Sequence, residues 1–242
     1  MSSSKDIKEQ VLPFCATFCL SVLAPILVVS VWPVPSAINL GWDWANLLGY
    51  LCLAICGFLF IYRSRARTFP AFSSRFFANL HRELGFIALG LLLAHVGILL
   101  LVEPLLLEYL NPTAPFHMLA GLMAFILMIM LATLSIPPIR RRMLSNYHVF
   151  RHLHAVLAVS VFILIAVHIL GSGFYLNAGW KIGLLSAAGI GLLIYYSLDR
   201  KAPDRSMPRL NHSSGYSSYV SYGCTTLTVL VCLTLALVKQ FL

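Results

Sequence analysis

Seven runs of about 20 mostly apolar residues, at roughly 11–32, 43–62, 80–102, 116–136, 149–170, 178–198 and 219–238, leave this chain few ways to fold. A helix of about that length crosses a hydrocarbon layer of about 30 Å. Charged residues make up 10% of the sequence and hydrophobic ones 60%, whereas a soluble domain is about 25% charged. The expectation is an all-α, polytopic membrane helix bundle embedded in the lipid bilayer. No long polar stretch offers a separate soluble domain. The first run follows Lys5 and Lys8 and precedes the small residues Val34 to Ala37, as a secretory signal does. Its 22-residue core exceeds the usual 7 to 15 apolar residues of such a signal, which argues for a retained helix.

The formal charge of +9 does not call for a nucleic-acid partner, because in a membrane protein the placement of the basic residues matters more than their sum. Lys5 and Lys8 precede the first run. Arg63, Arg65, Arg67, Arg75 and Arg82 lie between or at the edges of the second and third, and Arg140, Arg141, Arg142 and Arg151 between the fourth and fifth. Arg200, Lys201, Arg205 and Arg209 lie between the sixth and seventh. Of 17 lysines and arginines, only Lys181 and Lys239 fall on the alternate side. The positive-inside rule therefore puts the N-terminus in the cytoplasm, with Asp43, Glu103 and Glu108 on the outer side.

Two runs stand apart. HRELGFIALGLLLAH (81–95) and HAVLAVSVFILIAVH (154–168) are each bounded by histidines fourteen positions apart. Fourteen residues of helix advance roughly 21 Å while the side-chain direction drifts by about 40°, so each pair shares one helix face. An ionisable residue inside hydrocarbon is costly and marks a functional site by default. Matched by depth, His81 pairs with His154 near the inner surface, and His95 with His168 near the outer one. A haem iron held by two imidazoles needs one histidine from each side of the porphyrin, which two helices at one depth supply. Gly85 and Ala88 after His81, and Ala158 after His154, offer small neighbours for a flat macrocycle. Arg82 and Arg151 are placed to meet inner haem propionates, or to anchor the helices at the interface.

The segment RRRMLSNYHVFRHLHAVLAVSVFILIAVH, with HRELGFIALGLLLAH before it, resembles the ferric reductase-like transmembrane domain of NADPH oxidases, membrane ferric reductases and the haem-bearing membrane subunit of the bacterial methionine sulfoxide reductase system. The likeness covers about 43 to 198. It implies two b haems, with the ligand role carried onto His81, His95, His154 and His168. The second pair is often thirteen apart in that family and is fourteen here, the better-aligned spacing on a straight helix. The oxidases and eukaryotic ferric reductases continue into flavin and nicotinamide domains. Here a short polar linker and another helix follow, with no glycine-rich nucleotide loop. The resemblance thus implies an electron donor on another molecule: a cytoplasmic flavoprotein, FMN or FAD at the basic inner loops, or a quinol.

Other residues carry plainer readings. His148 and His152 lie in the basic inner loop, His212 in a polar linker, and His117 opens the fourth run on the outer side. All six cysteines fall within apolar runs, where cysteine packs as a small hydrophobe and no zinc spacing is present. Trp32, Trp42, Trp44 and Trp180 map to the outer side, as an interfacial aromatic belt. Pro137 and Pro138 are expected to close the fourth helix.

The resulting expectation has three parts: 1–42, an N-terminal tail and first helix; 43–198, a haem-binding transmembrane domain; and 199–242, a basic linker and C-terminal helix. That is a six-helix haem-binding core plus an extra helix, which docks a partner subunit or seals the bundle. The function expected is transmembrane electron transfer by a bis-haem b-type cytochrome of a bacterial inner membrane. It would run from a cytoplasmic donor to an outer-face acceptor or partner, as a reductase in its own right or as a membrane subunit of one. Alternatives are a quinol-linked cytochrome b, a haem-bearing anchor for a dehydrogenase, and a cofactor-free transporter with a histidine proton relay.

Overall fold

The computed structural model describes residues 3–62, 72–144, 146–201 and 216–241. Arg63, Arg65, Arg67, Arg205, Arg209 and His212 lie outside the described residues. The described residues form only helices and turns: α1 (Ser3–Ser30), α2 (Leu40–Ile61), α3 (Ser74–Val102), a 3₁₀ segment (Pro104–Leu110), α4 (Phe116–Ser135), a short α5 (Pro137–Met143), α6 (Tyr147–Ser172), α7 (Gly179–Lys201), α8 (Tyr216–Ser218), a π turn (Tyr219–Gly223) and α9 (Cys224–Lys239). Seven segments are long and apolar enough to cross a membrane: α1, α2, α3, α4, α6, α7, and α8 to α9 taken together. The chain is an integral membrane helix bundle.

Helix ends follow from capping chemistry. Asn39 accepts from the Trp42 N–H at 2.8 Å and Ser73 from the Phe76 N–H at 3.2 Å. Asn146 accepts from the His148 N–H at 2.8 Å. Each satisfies a donor that the first turn leaves orphaned. At the far end of α6, Gly173 takes a left-handed conformation (φ 62°) that a side chain disfavours. The Ser73 cap explains why α3 starts six residues before the apolar run expected at 80: its first turns are held by Phe76 and Phe77, both fully buried. Pro137 and Pro138 do end α4, and they then serve as the opening residues of α5.

α1 carries a stripe, Phe14, Phe18, Val22, Ile26 and Val29, at 0–2% exposure. Three- and four-residue spacing keeps that stripe on one face, and it packs against α2 and α9. Phe14 meets the rings of Phe58, Tyr62, Phe72, Phe76 and Phe77 within 5.4–6.3 Å, tying α1, α2 and α3 together.

The closest pairings are α2 with α3 and α4 with α6. α9 lies on α1 and α2. Its two ends are clamped. Glu83 of α3 accepts hydroxyls from Ser218 at 2.9 Å and Ser221 at 2.6 Å. At the other end Lys239 donates to Asp43 at 2.6 Å, and Tyr175 and Gln240 add bonds of 2.7 Å each. Burial, with Asp43 beside it, pushes the Tyr175 phenol well above its ordinary pKa, so it stays a donor.

These contacts account for the two basic residues that break the charge pattern. Lys239 is buried on Asp43, and Lys181 is fully buried with Nζ on the carbonyls of Val29 and Pro33 and on Asn177 Oδ1, at 2.8–3.1 Å. Both cations are consumed inside the protein rather than left in a loop. Asp43, expected on the outer side, is at 0% exposure. Of the four tryptophans, Trp32 and Trp180 are exposed, as a belt requires, while Trp42 and Trp44 are half-buried.

Candidate functional site

His81 and His95 stand on α3, and His154 and His168 on α6. Among the described residues, α3 and α6 are not a closely packed pair: α3 leans on α2, and α6 on α4. All four histidines are half-buried by protein alone, as are Val96 to Leu100 on α3 and Leu164 to Val167 on α6. The two helices therefore bring their histidine faces towards one another without closing the space between them.

At the inner level the His81 and His154 ring centroids are 6.1 Å apart. Two imidazoles on one metal ion sit at about that separation: roughly 2 Å of metal–nitrogen bond on each side, plus the distance from nitrogen to ring centre. His154 is supported from behind. Its Nδ1 is 3.4 Å from Ser135 Oγ, whose own proton goes to the Leu131 carbonyl at 2.7 Å, and Phe150 packs on its ring at 5.5 Å. Arg140 of α5 lies over the same Phe150 at 5.1 Å and over Tyr147 at 5.7 Å, so the basic helix is stacked on the residues that back His154.

At the outer level the arrangement repeats on both helices. His95 Nδ1 is 2.7 Å from the Ala45 carbonyl of α2. His168 Nδ1 is 2.9 Å from the His117 carbonyl of α4. A carbonyl only accepts, so each Nδ1 carries the proton and each Nε2 is left with its lone pair. That is the tautomer of a metal-ligating histidine, whose second nitrogen is normally fixed by a carbonyl or carboxylate. The spacing of the His81 and His154 imidazoles on α3 and α6 is compatible with a bis-imidazole haem at that level.

Residues 48–165 match the family described as "Ferric reductase like transmembrane component". This segment is a ferric reductase-like transmembrane domain. It includes α3, α4 and most of α2 and α6, with His81, His95 and His154, and it ends three residues before His168. No curated protein and no solved structure matches the chain. A ferric reductase-like domain points to electron transfer across the membrane.

Several expected residues fall elsewhere. Ala88 is fully buried, and its carbonyl takes the Cys52 thiol of α2 at 3.3 Å. Gly85 and Ala158 are half-buried. Arg82 and Arg151 are exposed, close in sequence to the His81–His154 level. His148 and His152 are exposed as well. Sequence reasoning missed the carbonyl partners Ala45 and His117. Only His117 carried a signal, a polar residue opening an apolar helix; a backbone carbonyl on alanine carries none.

Proposed function

We propose that this chain is a b-type cytochrome that carries electrons singly across a bacterial inner membrane, from a cytoplasmic donor to an acceptor at the outer face. Its haem-binding unit is 43–198, flanked by 1–42 and 199–242. His81 and His154 hold an inner haem and His95 and His168 an outer one. The observation that supports this reading is the 6.1 Å approach of the His81 and His154 rings, together with the hold of both outer imidazoles as Nδ1–H tautomers by carbonyls of neighbouring helices.

Haem supplies a reversible one-electron couple. The protein's part is to hold it, bury it and keep water away. Ligand histidines fourteen residues apart separate the two levels by roughly 21 Å along the helix, which spans most of the hydrocarbon layer. Arg82 and Arg151 flank the inner level and are assigned to propionates. The basic segment Arg140, Arg141 and Arg142 is the place for an anionic donor, a flavoprotein or bound FMN or FAD, with a neutral quinol as the alternative donor. Arg140 reaches His154 through Phe150.

The test is a dithionite-reduced minus oxidised visible spectrum of the purified full chain, with haem extracted and counted. Two b haems in the parent are expected, falling to one in His81→Ala and to one in His95→Ala, with the second substitution removing a different haem from the first. A folded parent without haem absorbance rejects the reading.

A further inference from the structure

Gly49 and Gly121 occupy equivalent places beside the two outer histidines. The carbonyl that holds His95 belongs to Ala45, and Gly49 is four residues on; the carbonyl that holds His168 belongs to His117, and Gly121 is four residues on. Residue i+4 of a helix lies directly over the carbonyl of residue i, so its side chain decides whether a neighbouring ring can reach that oxygen. A Cβ at Gly49 would lie 3.0 Å from both Cε1 and Nδ1 of His95. At Gly121 it would lie 2.6 Å from Nδ1 and 3.0 Å from Cε1 of His168. The inner level is built differently: the hydroxyl of Ser135, not a glycine-bared carbonyl, stands beside His154 Nδ1.

We infer that Gly49 and Gly121 are positioning residues for the outer haem: they open the Ala45 and His117 carbonyls to the imidazoles and so fix the Nε2 atoms of His95 and His168 towards one shared iron. The inference rests on the haem-binding reading above. It goes further by predicting that two glycines on two different helices serve the same cofactor, and that the inner one is indifferent to both.

The distances rank the variants. A methyl 2.6 Å from a ring nitrogen cannot be accommodated, so Gly121→Ala must turn His168 off its carbonyl. At 3.0 Å the His95 ring has only to give by a few tenths of an ångström, so Gly49→Ala is the milder change. Gly90→Ala is the matched control. It makes the same substitution on α3 at an exposed site with no atom within 4 Å of the new Cβ.

The experiment counts haem per full-length chain and records low-spin electron paramagnetic resonance spectra of the oxidised proteins. Gly90→Ala should keep two haems and the parent spectrum. Gly121→Ala should fall from two haems to about one, losing the same signal that His95→Ala loses. Gly49→Ala should shift or weaken that signal alone. The pair of Gly121→Ala and Gly49→Ala together should lose no more than Gly121→Ala. In a His168→Ala background, where the ring is gone, Gly121→Ala should cause no further loss.

A two-haem parent whose Gly121→Ala variant keeps both haems and unchanged signals overturns this inference alone. So does loss of the inner haem on adding Gly121→Ala to His168→Ala, since that would make the glycine a helix-packing residue. A parent without haem overturns the functional reading, and this inference with it.

Discussion

Replacing Lys239 by methionine strands one of the most buried charges in the bundle. Asp43 sits at 0% side-chain exposure and Lys239 at 9%. The carboxylate takes Lys239 Nζ at 2.6 Å and Tyr175 Oη at 2.7 Å on Oδ1, and Gln240 Nε2 at 2.7 Å on Oδ2. Without the ammonium two neutral donors remain. Breaking a buried pair from one side costs about 3–5 kcal/mol, and the remaining donors place this case near the lower end, at about 3 kcal/mol. Asp43→Asn should cost a similar amount. It leaves Lys239 with the Tyr175 hydroxyl at 3.3 Å and the faces of Tyr175 and Phe174 at 4.4 and 5.6 Å. The double variant removes both charges, and replacing a buried pair by neutral groups is often nearly free. It should therefore be less destabilised than the sum of the singles by about 2 kcal/mol or more. Reversible unfolding in mixed detergent–SDS micelles, followed by far-UV circular dichroism on all four proteins, measures the cycle. Strictly additive singles, or singles costing under about 0.5 kcal/mol, would refute the claim that this pair clamps α9 to α2.

Other perturbations test the remaining contacts. Glu83→Gln keeps the shape but weakens the acceptor of the Ser218 and Ser221 hydroxyls, and should cost about 2 kcal/mol. Hydrogen exchange should rise over 216–223 and stay unchanged in α4. Ser135→Ala should retain both haems, because the bond to His154 is long at 3.4 Å, and shift the midpoint potential of the inner one only, by redox titration. Substituting Arg140, Arg141 and Arg142 together by alanine should leave the haem count intact. Reduction by an anionic flavoprotein donor should slow several-fold at low ionic strength, with the difference vanishing at high salt. Stopped-flow kinetics at two salt concentrations decides it.

Much of this molecule is legible in one dimension because the membrane simplifies the problem. Apolar length gives the seven crossings, since each must satisfy its own backbone within the bilayer, and the charge pattern gives alternation. The fourteen-residue spacing alone aligns His81 with His95 and His154 with His168, because a helix has a fixed pitch. What the sequence could not give is anything that passes between helices. Lys181 and Lys239 read as exceptions to a charge rule, and only the fold shows them buried on carbonyls and on Asp43. The same holds for the outer imidazoles: a carbonyl on Ala45 or His117 has no side-chain signature, and it becomes a partner only when a second helix, about 50 residues away in the chain, brings a histidine to it. Periodicity fixes which residues share a face; which face meets which is decided by packing in three dimensions.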